Sequence, residues 1–484
     1  MTSKKSRLPR PLFVLLLLLL CGLAVGLFGL IFIGFEGEVP TFQLQSPIQT
    51  IGTSCTLKAE ASDQKSGLRR VWIAVLQEGK ERTLLDKTFP STGFLRRGVL
   101  HRHSISLDVN SDILGLEDGE ALLRTAVWDY SYRGWLTGNR GYAEYKILID
   151  TKPPTINVLT RVHNLNQGGT GMAVYEVSEE NTVSGVQVED VLFPGYSGFS
   201  DDPKLFIAFF ALPYDKGPDT EIFVTATDIA NNTSKAGFPH HINAKSFKKD
   251  TITLSDGFLK RKMPEFADFS DSVDPSAPLI EKFVAVNRYL RQANHETLVE
   301  ACRQTDAKLY WKGAFLRLPA SAHKAGFADH RGYVYEGRTV DKQVHLGIDL
   351  ASTGHSPVPA ANNGRVALAE YVGIYGKTVI LDHGFGLFSM YGHLSRIQVE
   401  KDQVVSKGDV IGFTGMTGLA GGDHLHYSMM VGHTFINPIE WWDPTWIKHN
   451  VTDKLAAMKS LQLAEEEEGR STGGQKHWNG GTME

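Results

Sequence analysis

Cysteine is scarce: the 484 residues hold three, and two of them, Cys55 and Cys302, stand far apart with no C-x-x-C pattern around either. A thiolate metal cluster and a thioredoxin-like redox motif are thereby excluded. Whether Cys55 and Cys302 pair in an oxidising compartment is left open by their spacing. Charge of one sign is also missing. A formal net charge of −4 supplies no global basic field, which argues against nucleic acid as the main partner. No H-E-x-x-H helix occurs, so no glutamate base of that type is present. The stretch "GIYGKT", residues 373–378, lacks the first glycine of a phosphate-binding loop, where Tyr371 stands instead.

What is present begins with an apolar run. Lys4, Lys5, Arg7 and Arg10 precede residues 12–35, an uninterrupted apolar segment long enough to span ~30 Å of hydrocarbon as a helix. No small-x-small cleavage site follows before Glu36 and Glu38. The expectation is a single transmembrane signal anchor at 12–35, with the basic residues 1–11 in the cytoplasm and the bulk of the chain in the periplasm or cell-wall space. Cys21 follows three leucines, whose bulk disfavours a lipoprotein cleavage there.

With 484 residues, 42% of them apolar, the chain is long enough for two to four domains, each with its own core. Residues 39–150 read as short strands: "LRRVWIAVL" at 68–76 alternates, and "LLRTAVWDYSYRGW" at 122–135 ends a strand at Asp129. "DTKPPT" at 150–155 closes the unit, because two prolines cannot donate ladder bonds. Residues 155–248 repeat the plan, "SGVQVEDVLF" answering "SGLRRVWIAV" and "IFVTATDIANN" answering "RTAVWDYSY". Strands at this spacing predict two β-sandwiches, and both units resemble bacterial immunoglobulin-like (Ig-like) modules in their "SG" strand start and "ATD.ANN" turn. Such modules would serve as spacers or contact other cell-wall proteins.

The period then changes. Leu279, Ile280, Phe283, Val286 and Leu290 fall at helical spacing behind Pro275 and Pro278, which predicts a helical linker over 273–305, with a second helix starting after Asn294. Residues 309–446 are rich in glycine and in alternating apolar segments, predicting a compact antiparallel β domain. Residues 450–484, with "AEEEEGRSTGGQ", read as a flexible acidic and glycine-rich tail.

Three stretches of that last domain carry chemistry. In "GGDHLHYSMM" (421–430), His424 and His426 are two apart in a strand and so project to the same face, roughly 6.6 Å from each other. In "VHLGIDLA" (344–351), His345 and Asp349 share a face but would lie ~13 Å apart in a flat strand, too far for one ion. Gly347 between them can take a conformation that bends the chain and brings them together. In "MYGHLS" (390–395), His393 ends an apolar strand. Tyr335 and Arg331 lie upstream and could face a substrate, and Asp423 could support an imidazole.

"HLGID", "YGHLS" and "HLH", in that order and with "VSKGDVIGFTGMTG" between the last two, resemble the lysostaphin-type or LytM-type zinc endopeptidases that cut peptidoglycan cross-link peptides on a duplicated hybrid motif barrel. The resemblance implies that His345, Asp349 and His426 ligate one zinc ion, that His393 and His424 are the catalytic histidines beside the attacking water, and that peptidoglycan stem peptides are the substrate. Two imidazoles and one carboxylate suit this, because they leave a tetrahedral position open. The alternative is a non-hydrolysing binding protein that activates or regulates separate cell-wall amidases. It predicts loss of one of the three ligands, and all three are present. A lipoyl-type carrier barrel fails because Lys407 precedes its turn instead of occupying it. A covering role over the zinc is expected of the helices immediately upstream.

Overall fold

The computed structural model of the chain describes residues 10–34, 36–92, 97–272 and 274–458. The expected cytoplasmic segment, but for its last two residues, and the acidic, glycine-rich part of the tail lie outside these. The fold is mainly β, with one N-terminal apolar helix, Arg10–Gly34, within which Pro11–Gly29 is long and apolar enough to cross a membrane. The described residues divide into two compact units, Met1–Pro153 with Asp228–Asn232, and Pro154–Thr227 with Thr233–Glu484.

In the first unit two sheets close over one core. One sheet orders Thr41–Leu44, Ser54–Ser62 and Arg102–Asn110; the other orders Thr50–Ile51, Arg140–Ile149, Gly119–Asp129, Leu68–Gln77 and Lys80–Thr88. The strand Ser54–Ser62 shows why. Leu57, Ala59 and Ala61 alternate with polar residues, so one face is apolar, and it packs on Val71, Ile73, Leu123 and Val127 of the opposite sheet.

The second unit holds more than the catalytic stretches. The strands Thr170–Val177 and Leu205–Ala211 are buried almost throughout, and their apolar side chains join a single core that runs on into an eight-stranded sheet. At the junction Trp441 packs edge-on against Phe209, Trp311 and Phe315, with ring centroids 5.9, 5.3 and 5.4 Å away. Its indole N–H donates to Thr170. The eight-stranded sheet runs Ala322–Ala325, Ile348–Ala351, Leu425–Val431, Leu387–Leu394, Gly376–Asp382, Gly364–Val372 and Val404–Val405, with Thr434–Ile436 paired to Leu425–Val431 off this path.

Two features differ from the sequence reading. The antiparallel region 309–446 takes in a strand from outside its expected bounds, because Lys249–Thr253, from before the helices, pairs in parallel with Asp329–Tyr335, which in turn pairs antiparallel with Arg338–His345. And no helix starts after Asn294. Helix runs from Leu279 to Ala301 with one π-helical turn at Val286–Leu290. Asn294 sits buried inside it, its side-chain oxygen accepting from the backbone N–H of Ile374, so an amide that looks like a cap instead ties the helix to a loop of the sheet.

Glu440 makes the junction pH-dependent. It is 6% exposed, accepts from the Asn166 amide (2.8 Å) and the Thr170 N–H (2.8 Å), and burial pushes its pKa up to about 7. A carboxyl whose pKa is raised by folding binds its proton more tightly in the native state, so stability falls as pH climbs from the unfolded value toward 7 and stays low above it. Between about pH 5 and about pH 8, wild type should lose roughly 2–3 kcal/mol more than Glu440→Gln in denaturant titrations. Parallel losses in the two proteins would contradict this.

Candidate metal centre

His345 and Asp349 come together because the chain changes sheets between them. His345 is the last residue of Arg338–His345 in the three-stranded sheet; Leu346 and Gly347 turn the chain, and Ile348–Ala351 enters the eight-stranded sheet beside Leu425–Val431. There Asp349 pairs directly with His426, at a spacing where cross-strand side chains touch. The result is a triangle: His345 Nε2 to Asp349 Oδ1 2.9 Å, His345 Nε2 to His426 Nδ1 3.0 Å, and His426 Nδ1 to Asp349 Oδ1 3.0 Å. All three residues are buried.

Gly347 acts through its missing side chain. Its φ is not in the left-handed region, but a Cβ built on it would lie 2.5 Å from Ser428 Oγ and 2.6 Å from the His426 ring. Close approach to His426, not a special backbone conformation, is what requires glycine here.

Hydrogen bonds at the outer edges of the rings determine which atoms face inward. His345 Nδ1 lies 2.8 Å from the carbonyl oxygen of Gly326, which can only accept, so Nδ1 carries a proton and Nε2 is the ring atom turned inward. Ser428 donates its hydroxyl proton to the carbonyl of Leu346 (2.8 Å), so at 3.1 Å its oxygen accepts from His426 Nε2–H, leaving His426 Nδ1 bare. Arg331 Nη2 donates to Asp349 Oδ2 at 2.9 Å, turning Oδ1 toward the imidazoles. Burial works to raise the Asp349 pKa, but His345, His424 and His426 around it hold the carboxyl well below the usual range.

Three donor atoms therefore turn inward together, and with His345 and His426 both neutral each offers a lone pair to one cation. Zinc bonds of ~2.0–2.1 Å in a tetrahedron place ligand atoms roughly 3.3 Å apart, so the observed triangle needs to open by only a few tenths of an ångström. Nitrogen and carboxylate donors with ring tautomers fixed from outside fit that ion.

The other two histidines stand beside the triangle. His393 has φ 61°, a left-handed backbone rare for a residue with a side chain, and lies in a bulge where Gly392 and His393 oppose Thr378 alone. The bulge re-aims its ring to 4.8 Å from His424 and 5.8 Å from His426, centroid to centroid. Its Nδ1–H donates to Thr417 O at 2.8 Å, and burial together with His424 and His426 holds its pKa well below 6.5. His424 donates from Nδ1 to Gly422 O at 2.8 Å and brings Nε2 to 3.5 Å from Asp349 Oδ1. Burial opposes its protonation, but contact with Asp349 outweighs burial and raises its pKa.

The remaining candidates are placed elsewhere. Tyr335 donates to Asp256 at 2.8 Å and does not reach the triangle. Asp423 accepts from the His355 N–H at 3.2 Å and touches no imidazole of the triangle. Sequence reasoning missed Ser428 and the Gly326 carbonyl. The first was findable, because His426-x-Ser428 puts both on one face of a strand, whereas the second is a backbone group with no residue signal. Also missed was the cleft, about 340 Å³, that opens over the triangle and has Leu254, Phe258, Phe283 and Arg291 in its wall. Those residues come from the helical region and the strand before it, so the helices line the site they were expected to cover.

Residues 343–438 match the profile of Peptidase family M23. Over 103 residues, 21% of the chain, the sequence is 36% identical to the DD-carboxypeptidase/endopeptidase Mpg of Neisseria meningitidis, 24% of which is covered. Over 96 residues, 20% of the chain, it is 36% identical to the peptidoglycan DD-endopeptidase ShyA of Vibrio cholerae, 22% of which is covered. The chain thus spans about a quarter of the length of these curated relatives. Among solved structures, the catalytic domain of lysostaphin from Staphylococcus simulans is 24% identical, covering 27% of this chain and 98% of that one with a TM-score of 0.23. A zinc-containing peptidase from Vibrio cholerae is 14% identical, covering 66% of this chain and 81% of that one with a TM-score of 0.26.

Gly347→Ala tests the packing. Pushing His426 off its place should cut bound metal per chain at least tenfold, on the scale of losing ligand support, with the circular dichroism spectrum unchanged. Full metal content in the variant would contradict the assigned role of Gly347.

Proposed function

We propose that the chain is a membrane-anchored zinc metalloendopeptidase that hydrolyses peptide cross-links of peptidoglycan. The observation that carries this reading is the convergence of three metal-ligating atoms, His345 Nε2, Asp349 Oδ1 and His426 Nδ1. Three protein ligands leave a fourth position open toward the cleft, as a catalytic site needs and a structural one does not. The family match over residues 343–438 and the DD-endopeptidase names of the relatives support the substrate class.

In this reading His345, Asp349 and His426 hold the metal, which when bound supplies Lewis acidity toward a carbonyl and acidifies water. Gly326 and Ser428 keep the ligand imidazoles in the tautomers that present bare nitrogens. Arg331 fixes Asp349 from its far oxygen. His393, kept neutral by burial, offers a bare Nε2 that takes a proton from the attacking water. His424, whose pKa is raised, holds the proton that the leaving amide nitrogen requires. The apolar wall of Leu254, Phe258 and Phe283 keeps bulk water from the reacting groups and leaves a groove for an extended peptide.

The apolar helix would anchor the enzyme in the inner membrane, and the region 39–150 would act as an Ig-like spacer, while 155–248, expected as a second Ig-like module, shares its core with the sheet that carries the cleft.

Mass spectrometry of peptidoglycan incubated with the full chain in detergent, zinc-loaded, tests the proposal. New peptide termini are expected with wild type. His345→Ala should give none and bind little zinc, while His393→Ala should retain its zinc and lose about 10²–10⁴-fold in rate. Intact cross-links with zinc-loaded wild type would overturn the assignment.

A further inference from the structure

A second buried cluster lies in the first unit, just past the apolar helix. Glu36, Asp63 and Asp129 are 5%, 5% and 0% exposed, and a carboxylate oxygen from each lies within 4.8 Å of the others. They come from three places in the chain: the stretch leaving the helix, the loop after Ser54–Ser62, and the last residue of Gly119–Asp129. The donors that reach them are neutral. Gly67 and Lys65 backbone N–H groups serve Asp63 Oδ2 at 2.6 and 3.2 Å. Ser131 and Asn139 N–H groups serve Asp129 Oδ1 at 2.9 and 2.6 Å, with the Asn139 side-chain amide on Oδ2 at 2.9 Å. The Ser66 hydroxyl reaches Glu36 Oε1 at 3.2 Å.

Among the described residues no donor reaches Glu36 Oε2, an oxygen sealed from solvent beside two further carboxylates, and burial together with Asp63 and Asp129 pushes the Glu36 pKa up to about 7. Leaving such a group unsatisfied is costly, and a second and third negative charge in the same space increase the cost. The Asn139 clamp does not relieve it. The same clamp recurs at Asn232, whose N–H and side-chain amide bind the two oxygens of Asp228 at 2.8 Å each and whose amide also reaches the Asp150 carbonyl at 2.7 Å. Asn139 likewise reaches the Glu36 carbonyl at 3.2 Å. The clamp is thus a device for holding strand ends, and the orphaned oxygen of Glu36 is a separate feature that calls for a positive ligand.

We infer that Glu36, Asp63 and Asp129 form a calcium site that fastens the start of the first sandwich to the chain leaving the apolar helix. All-oxygen, carboxylate-rich donors select a hard divalent cation. Calcium tolerates irregular geometry and draws further ligands from carbonyls, hydroxyls and water, whereas magnesium demands a near-ideal octahedron. The site shares no residue with the His345 triangle and stands independently of the proposed peptidase activity.

The test is calcium chloride titrated into the full chain in detergent micelles by isothermal calorimetry, after stripping with chelator and dialysis. Wild type should bind one calcium per chain in the range of extracellular modules, ~10⁻⁴–10⁻³ M or tighter. Glu36→Gln and Asp63→Asn, which keep shape and remove charge, should each weaken binding at least tenfold, His345→Ala should leave it unchanged, and magnesium should bind at least tenfold more weakly than calcium. No uptake by wild type at ~5 mM calcium, above that range, would overturn the site, as would uptake that neither variant alters. Tighter binding of magnesium would overturn the choice of calcium.

Discussion

Two imidazole nitrogens and a carboxylate oxygen share one buried space, and much of the C-terminal architecture serves to keep them there. Side chains from separate strands keep contacts of 2.9–3.0 Å only where their own positions are fixed. What holds them is a set of contacts at their outer edges. The Gly326 carbonyl fixes one ring, Ser428 fixes the other, and Arg331 takes the far oxygen of Asp349. Each contact is local, but each partner arrives from a different strand or loop, so the triangle exists only when the three-stranded and eight-stranded sheets are both in register. A cation held by the three atoms would add its binding free energy to the stability of the fold, in the usual way that metal binding and folding are linked.

One strained and one crowded position lie at the site. His393 keeps a left-handed backbone inside a bulge, and Gly347 lies so close to His426 that a methyl group does not fit. Neither feature is needed to build a sheet. Strain that persists in an otherwise regular sheet, at residues facing a cleft, is what a site under functional constraint looks like. The flanking region contributes differently. The helices Leu279–Ala301 and the parallel strand Lys249–Thr253 contribute cleft wall, and Asn294 bonds this layer to the loop at Ile374.

Much of this was legible in the residues themselves. Alternation in a strand is enough to place His424 and His426 on one face, and a glycine between His345 and Asp349 signals that the flat-strand distance need not hold. The mainly β character and the apolar helix follow from period and composition. Less legible was anything carried by backbone or by distant packing. The Gly326 carbonyl has no residue signature, Lys249–Thr253 is a short, half-exposed strand with little apolar content, and Asn294 carries the signal of a helix cap while serving a tertiary bond. Gly347 was legible as important but for another reason, since close packing and backbone freedom leave the same letter in the sequence. Glu36 reads as the polar end of an apolar run, and only the fold reveals it as buried.

The claim on which the account rests is that a metal ion occupies the space between three lone pairs, and the most direct measurement is anomalous diffraction from crystals of the protein collected on either side of the zinc absorption edge. The account predicts one peak, bonded at once to His345 Nε2, Asp349 Oδ1 and His426 Nδ1 at ~2.0–2.2 Å. Zinc-soaked crystals with no anomalous density there, and with either imidazole turned so that a protonated nitrogen faces Asp349, would contradict it.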